Sequence, residues 1–590
     1  MEARWTVYAK RADFKAIGEK FNIDQVAARV IRNRDIINES DIDKFLNATL
    51  EDTHSPSDMA DMLKGCGIMM DKIKSGKKVR IISDYDVDGV MSNYILLDGL
   101  RNAGAEVSYE IPDRMLDGYG INERIIRDAY EDGIDTIITC DNGIAAFSAI
   151  ELAKELGMTI IVTDHHEVPY DMDENGKKLY RLVPADAVID IKREDCGYPF
   201  KGLCGAGVAY KFIRCLYDTM GLSWDKPEKY IEFVAIATVC DVMELVDENR
   251  IYVKLGQKIV QNTGNTGLAA LLEVNGLRNK KILAYHFGFV IGPCINATGR
   301  LESAKRGLEL LLCDEEESAA KLACELKSLN DTRKAMTNSG VEAAIELVRS
   351  RYMEDKVLVV YLPELHESIA GIVAGKVREY FYKPVFVVTN AEQGLKGSGR
   401  SIEGYHMFDA LTECKNILTK FGGHAMAAGF SLEKENLQAF HDMLNKNQRL
   451  TDEELTPKVY IDVPMPMCYA TPKLVNDLEL LEPFGNGNEK PLFAQSGLRI
   501  KQARLFGNEH QYVRLYFMDK NGFTVEGVDF NANKFIESIK LWFGEKECDK
   551  MFKGLPNDIL LDVAYYPDIN EYKGRQLIQV KPVMYRRTLS

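Results

Sequence analysis

The sequence predicts a multidomain α/β protein, and three observations carry that prediction. Between residues 78 and 166, β-favouring apolar runs recur as "KVRIISDYD", "EVSYEIPD", "DTIITCDNG" and "MTIIVTDHHE", with helical stretches near 122–132 and 146–156 between them. Strands alternating with helices in this way form a doubly wound, mostly parallel sheet. From about 302 to 350 the chain turns rich in Ala, Leu, Glu and Lys with few breakers, which is the composition of a long connecting helical tract. Beyond it, "KVLVVYL" and "PVFVVTN" flank a helix near 369–381 and predict a second α/β unit. After "PFGNGNEKPLF", alternating segments such as "YVRLYF" and "ILLDVAYY", with turn signals at "DKNG" and "NEYKG", predict a small β-barrel.

Taken in order, the expected divisions are an N-terminal helical segment over 1–75, a first α/β domain over 76–300, the helical tract over 301–352, a second α/β domain over 353–455 and the barrel over 456–590. A chain of 590 residues exceeds what one hydrophobic core supports. Hydrophobic residues make up 46% and charged residues 28%, an ordinary globular balance. No apolar run approaches the roughly 18 residues of a membrane span. The first fifteen positions carry charges throughout, unlike a secretory signal, so a cytoplasmic protein with no membrane contact is expected. The 12 cysteines form no C-x-x-C pair, which argues against a zinc ribbon or a disulfide framework. A net charge of −15 argues against a surface that binds DNA everywhere and leaves room for a local basic groove.

The stretch "IISDYDVDGV" at 81–90 places Asp84, Asp86 and Asp88 on alternate positions before Gly89. These residues fill positions 1, 3, 5 and 6 of a calcium-binding EF-hand loop. The twelfth position excludes that reading, because Ile95 stands where a bidentate Glu is required and a β-favouring run precedes the first aspartate. Further strands end at Asp141 in "CDNG" and at Asp164, His165 and His166 in "TDHHE"; Asp241 ends the apolar segment "AIATVCDV". Ligands of open parallel sheets sit outside the carboxyl ends of the strands, so these groups converge on one crevice. Any one of these aspartates alone reads as a loop residue or helix cap. Together they repel, by on the order of 4 kcal/mol for a pair about 4 Å apart at an effective dielectric of 20, unless cations compensate. Oxygen donors with one or two imidazoles suit Mn²⁺ or Mg²⁺ better than tetrahedral zinc. Two such ions make a phosphoryl-transfer site.

The segments "DYDVDG", "CDNGI", "TDHHE" and "ATVCDV" resemble the four motifs of the DHH phosphoesterase superfamily. Within it the chain is similar to the RecJ family over nearly its whole length. The matching segments, in order, are "LCGAGVAYKF" (203–212), "INATGRLESA" (295–304), "LHESIAGIVAGKV" (365–377), "GSGRS" (397–401), "FGGHAMAAGF" (421–430) and "PFGNGNEKPLF" (483–493). The resemblance implies a DHH catalytic domain over 76–300, a DHH-associated domain over 353–455 and an oligonucleotide-binding (OB-like) barrel over 456–590.

Carried over position by position, the resemblance implies metal ligands at Asp84, Asp86, Asp88, Asp141, His165 and Asp241, with the division of labour among the first three left open. His166 is expected beside the scissile phosphate, where an imidazolium stabilises developing charge. Asp164 is either a ligand or the group that orients the histidines. Ser398 and Arg400 match positions that hold a 5′-phosphate, with Arg114 a third. Arg300 is either a phosphate contact or a structural ion-pair partner. Gly422, Gly423 and His424 offer unobstructed amides and one imidazole for nucleic-acid phosphates; the competing reading is a tight turn with a core histidine. In the barrel, Tyr512, Arg514 and Tyr516 alternate with Val513, Leu515 and Phe517, so one strand face is available for base stacking. The chain departs from the family at Thr298, which follows the usual alanine of the "NAxGR" pattern, and at Cys240, where a small alanine is common; neither removes a ligand.

The expected function is a Mn²⁺- or Mg²⁺-dependent exonuclease that hydrolyses single-stranded DNA from its 5′ end to mononucleotides in repair and recombination. The competing functions are a phosphodiesterase acting on short oligonucleotides or nucleotides, and a non-catalytic nucleic-acid-binding scaffold. Expected partners are single-stranded DNA and a single-strand-binding protein or helicase, with the chain itself a monomer.

Overall fold

The computed structural model describes residues 3–113, 120–174, 176–223, 227–572 and 575–588. The chain forms two compact units, one of Thr49–Leu455 with Gly485–Gly487 and one of Met1–Ala48, Thr456–Phe484 and Asn488–Ser590. Among the described residues no helix is long and apolar enough to cross a membrane.

The larger unit opens on a five-stranded sheet of β1 (Val79–Ser83), β2 (Val107–Glu110), β3 (Thr136–Cys140), β4 (Thr159–Asp164) and β5 (Ala187–Asp190), all parallel in the order β2-β1-β3-β4-β5. The runs "TIITC" and "AVID" are buried at every position, as continuous β-branched strands covered on both faces must be. Ile81, Ile138 and Ile161 point into one core with helices α1 (Val87–Asn102), α2 (Gly205–Met220) and α3 (Ile231–Cys240). Ile82, Ile137, Ile160 and Val162 point to the opposite side, against Ile125, Ile126 and Ile150 of the helices Glu123–Glu131 and Phe147–Glu155. The chain leaves β1 toward β2 and then returns to place β3 on the other flank of β1. The loops after β1 and β3 therefore diverge from neighbouring strand ends, which opens a crevice at that switch point.

Helix α4 (Gly292–Leu301) and the 32-residue helix α5 (Glu316–Leu347), about 48 Å long at 1.5 Å per residue, lead to a second sheet. Its elements are β6 (Leu358–Tyr361), α6 (Ala370–Phe381), β7 (Val385–Asn390), β8 (Leu395–Arg400), β9 (Leu418–Gly423) and β10 (Ala427–Leu432), in the strand order β9-β10-β8-β7-β6. Only β6 and β7 run parallel; the remaining pairs are antiparallel.

In the smaller unit, strands Phe493–Phe506, Tyr512–Met518, Thr524–Asp529, Arg575–Arg587 and Leu560–Tyr572 pair in succession, and the last pairs back with the first to close a barrel. Val513, Leu515 and Phe517 are fully buried inside it, and Tyr512, Arg514 and Tyr516 face outward, half-buried. Two helices, Ala532–Phe543 and Glu545–Lys553, interrupt the strands. They bury Phe535, Ile539, Cys548 and Met551 at helical spacing, a periodicity that the all-β reading of this segment overlooked.

The reading that kept residues 1–75 together is divided by the structure after Ala48. Arg4–Val7 pairs in parallel with Lys458–Ile461. The helix Gln25–Asn33 buries Val26, Ala27, Val30 and Ile31 in the same core as the barrel strands. Burial of this apolar face, at roughly 1.5–3 kcal/mol per large side chain, ties residues 1–48 to the C-terminal unit.

Candidate metal centre

The crevice begins where β1 ends. Asp84 leaves the strand, and Asp86 caps α1 by accepting from the Gly89 amide at 3.1 Å. A Cβ at Gly89 would lie 2.2 Å from the Asp84 carbonyl oxygen, so only glycine lets the helix start so close to the strand. Asp88, one turn on, accepts from the amides of Gly205 (2.6 Å) and Ala206 (2.8 Å) at the N-terminus of α2, where helix dipole and unpaired N–H groups favour an anion. A Cβ on Gly205 would sit 2.8 Å from that of Asp141, so this glycine brings helix and acid together. Asp141 itself follows β3 in the left-handed region with φ +60°, a conformation that costs a non-glycine residue roughly 1–2 kcal/mol. Strain of that kind persists where surrounding structure holds it, commonly at functional sites.

The five aspartates and His165 do converge. His165 Nε2 lies 3.0 Å from Asp141 Oδ1, 3.5 Å from Asp88 Oδ2 and 3.7 Å from Asp241 Oδ2. Three sets of side chains bring ligand atoms within 4.8 Å of one another: Asp84, Asp86 and Asp141; Asp88, His165 and Asp241; and Asp141, His165 and His166. Asp141 belongs to two of them and stands between an all-oxygen subsite and an imidazole-containing one. Burial raises the Asp141 carboxyl well above the ordinary range, and the charges of Asp88, Asp86 and Asp84 add to it. Burial and Asp88 likewise raise Asp86, and burial with Asp88 and Asp86 raises Asp241 to about 8. Burial lowers the His165 imidazole despite its acidic neighbours. Without a cation the cluster must take up protons to relieve its repulsion. Hard oxygen donors with one imidazole are the donor set for Mn²⁺ or Mg²⁺, so the residues present fit these ions.

Asp164 stands apart from all three sets. Its carboxylate accepts from the amides of Ile144 (2.9 Å), His165 (2.7 Å) and His166 (3.2 Å), and Oδ1 pairs with His166 Nδ1 at 2.8 Å. Of the two roles left open by the sequence, this geometry is that of the orienting group. Burial pushes the Asp164 carboxyl up, but the hydrogen bond and charge of His166 outweigh it and leave it below its ordinary value. For His166, burial opposes the charged form; Asp164 and the neighbouring acids overcome it and raise the imidazole to about 9. One further acid was not singled out in the sequence. Asp190 ends β5 in register with Asp164; its Oδ2 is buried without a partner, and burial followed by the Asp164 charge raises it to about 8.

A cavity of about 600 Å³ is lined by Phe289 and Arg300, just ahead of and on α4, and by Gly371, Lys396, Ser398 and Arg400 of the second lobe, among others. Arg400 Nη1 donates to Ser398 Oγ at 3.1 Å. A Cβ at Gly371 would meet Arg400 Nη2 at 2.7 Å, so the first turn of α6 admits the guanidinium because it carries glycine. Arg300 Nη1 donates to the Ser368 carbonyl at 2.7 Å, which fixes it at the wall of this cavity. Thr298 donates to the Ile295 carbonyl within its helix, and the Cys240 thiol to the Phe287 carbonyl at 3.4 Å; both departures from the family pattern are accommodated locally.

Gly422, Gly423 and His424 are not among the residues that line this cavity. They lie at the tip of the β9–β10 hairpin, where His424 donates its amide to the Ala427 carbonyl at 2.9 Å and its ring is exposed rather than in the core. Gly422 pairs with Gly429, which pairs with Ser398, so two strand spacings, about 10 Å, separate the hairpin edge from Ser398. Arg114 lies outside the described residues. Sequence reasoning assigned no role to Gly205, Lys396 or Phe289; the glycine pair in "LCGAGVAY", ahead of an apolar helix, was the available signal for the first.

Three family models match the chain in order: the DHH family N-terminal domain over residues 78–238, the DHHA1 domain over 354–449 and the RecJ OB domain over 461–582. The chain is 33% identical to the single-stranded-DNA-specific exonuclease RecJ of Escherichia coli, covering 88% of this chain and 89% of that one. It is 32% identical to the RecJ of Bacillus subtilis, over 91% of this chain and 67% of the relative. The crystal structure of RecJ from Thermus thermophilus in complex with Mn²⁺ superimposes with a TM-score of 0.81 at 26% identity, covering 100% of this chain and 80% of that one; the corresponding Mg²⁺ complex gives 0.76 at 25%. With the acid and histidine cluster at the switch point, the cationic cavity in the DHHA1 lobe and the closed barrel, the chain belongs to the RecJ family of single-stranded-DNA-specific exonucleases.

Proposed function

We propose that this protein hydrolyses single-stranded DNA with Mn²⁺ or Mg²⁺, working from the 5′ end and releasing mononucleotides. The observation that carries the reading is the position of Asp141, shared by two ligand sets, in a unit that also holds a cationic cavity able to take a chain end. Asp84, Asp86 and Asp141 would hold one ion, and Asp88, His165 and Asp241 the other, with Asp141 Oδ1 beside His165 Nε2 at 3.0 Å and so able to serve both. When bound, two such ions supply a water of lowered pKa and a positive field for the phosphoryl oxygens.

The chain's own residues do the rest. The α2 amides hold Asp88 in place, and Asp164 fixes the His166 ring through Nδ1. That leaves the other face of a protonated imidazole, 43% exposed, to stabilise negative charge at the scissile phosphate. Ser398, Arg400 and Arg300 hold the terminal phosphate, and a guanidinium fork on a group that only a chain end presents gives polarity. The row Ser398–Gly429–Gly422 offers a sheet surface with little side-chain obstruction along which the backbone passes. Tyr512, Arg514 and Tyr516 offer a face on which unpaired bases stack. In this division residues 76–300 carry the ions and contribute Arg300 to the phosphate site, 353–455 supply the rest of that site and 456–590 a base-stacking face. We place the protein in the cytoplasm as a monomer, in repair and recombination, fed by a helicase or single-strand-binding protein.

Digestion of single-stranded and duplex DNA labelled at either end tests the reading. The 5′ label is expected to appear first as mononucleotide, from single strands only, and chelation is expected to stop it. Release that persists in chelator, or that begins at the 3′ label, contradicts it.

A further inference from the structure

Helix α3 runs into Asp241, and the turn that ends it is strained. The Met243 amide donates to the Thr238 carbonyl at 3.0 Å and the Val242 amide to the Val239 carbonyl at 3.2 Å, the double closure by which a chain leaves a helix through one left-handed residue. That residue is Val242, at φ +57°. Glycine or asparagine usually fills this place, and a β-branched side chain there is a genuine outlier. The Val242 side chain is 67% exposed, so its own packing does little to offset the strain. Asp241 directly precedes it. A relaxation of Val242 toward ordinary backbone would swing the turn that carries the Asp241 carboxylate, 3.7 Å from His165 Nε2.

What holds this turn comes from far along the chain. Residues Gly485–Gly487, within "PFGNGNEKPLF", belong to the larger unit, although the chain on either side of them belongs to the smaller one. Asn486 grips the turn at two points. Its side-chain Nδ2 donates to the Val242 carbonyl at 2.8 Å, and its backbone carbonyl accepts from the Leu245 amide at 2.7 Å. The flanking glycines permit the approach: a Cβ at Gly485 would lie 2.7 Å from Leu245 Cδ1, and one at Gly487, itself at φ +75°, 3.1 Å from the Glu244 Cβ. Because the peptide is planar, pinning the Val242 carbonyl fixes the direction in which the chain leaves Val242. Groups behind a metal ligand commonly change the affinity 10- to 100-fold when they are lost, although they touch no ion.

We infer that Asn486 is a positioning residue for the subsite of Asp88, His165 and Asp241: it holds Val242 left-handed, and Val242 holds Asp241 toward the imidazole. This inference rests on the proposed role of Asp241 as a ligand. Its test counts Mn²⁺ on the full chain through the electron paramagnetic resonance of the free ion. Asn486→Ala keeps the backbone bond to Leu245 and removes the donor to Val242. It is expected to weaken one of two bound ions about 10-fold, to leave the other as it was and to leave melting in chelator unaltered. Adding Val242→Gly, which takes up the left-handed backbone without strain, is expected to restore the weakened ion, a rescue that a residue serving only overall stability would not show. If Asn486→Ala holds both ions as tightly as the unaltered protein, weakens both alike, or is not rescued by Val242→Gly, the positioning role is overturned and the metal reading stands. If the unaltered protein binds no ion, both fall.

Discussion

The acidic crevice at Asp84–Asp88, Asp141, His165 and Asp241 and the cationic cavity at Arg300, Ser398 and Arg400 are built in opposite ways. In the crevice every group hangs from the end of a buried strand or helix, and Asp84, Asp88, Asp141 and His165 are at most 5% exposed. Short side chains, backbone amides and glycines that permit close approach define it, so its geometry is set by the fold. The cavity is lined by longer guanidinium and ammonium side chains: Arg300 and Arg400 are half-buried and held by backbone carbonyls and the Ser398 hydroxyl, and Lys396 is exposed and paired with Glu367. The crevice therefore stores repulsion that a cation relieves, and the cavity presents charge that a ligand collects at little structural cost. Substitutions should trade function against stability in the first region and alter recognition alone in the second.

Asp141→Asn breaks the contrast most sharply. Asparagine tolerates the left-handed backbone, so the fold is kept while one carboxylate is lost from two ligand sets. Nuclease activity should fall on the order of 10³-fold or more, while the metal-free protein gains about 1–3 kcal/mol as repulsion is relieved; chemical denaturation in chelator reads the second effect. A loss of both activity and stability would mean that the crevice is not strained. At the cavity, Arg400→Ala should lower kcat/KM for 5′-phosphorylated strands about 10- to 100-fold, leave 5′-hydroxyl strands nearly unchanged and hold Tm constant, as paired kinetics and melting would show.

Glu232 gives a comparison inside the crevice's own lobe but outside the acid cluster. It is 3% exposed; among the described residues the Thr263 hydroxyl is its only hydrogen-bond partner and its Oε2 has none, and burial raises its carboxyl to about 7. A carboxyl raised in the folded state keeps its full contribution below the unfolded value near 4.5 and loses it as pH climbs through about 7. Glu232→Gln should therefore stabilise the protein by about 1–3 kcal/mol near pH 8 and little near pH 4.5, without changing activity. Urea melts at the two pH values check the sign.

How much of this was legible in the sequence follows the same contrast. The acid and histidine cluster could be read because strand-end position alone brings Asp84, Asp141 and His165 together, whatever the rest of the chain does. The orienting role of Asp164 could not, because it depends on three amides whose directions only the folded loops define. Phe289 sits in "HFGFVIG", whose apolar density reads as core; two residues on from the buried Phe287 it faces the opposite side of the helix and is exposed. That the "GGH" segment lies on an edge hairpin could not be read, because strand order within a sheet is not written in local pattern. The home of residues 1–48 was hidden for the same reason, since Arg4–Val7 finds its partner far along the chain at Lys458–Ile461.

The central claim is that Asp141 joins two metal subsites, and counting Mn²⁺ on the purified chain tests it most directly. Titration followed by the electron paramagnetic resonance of free Mn²⁺ should show two ions bound per chain, and Asp141→Asn should weaken both. Two undiminished ions on the variant, or none on the unaltered protein, would contradict it.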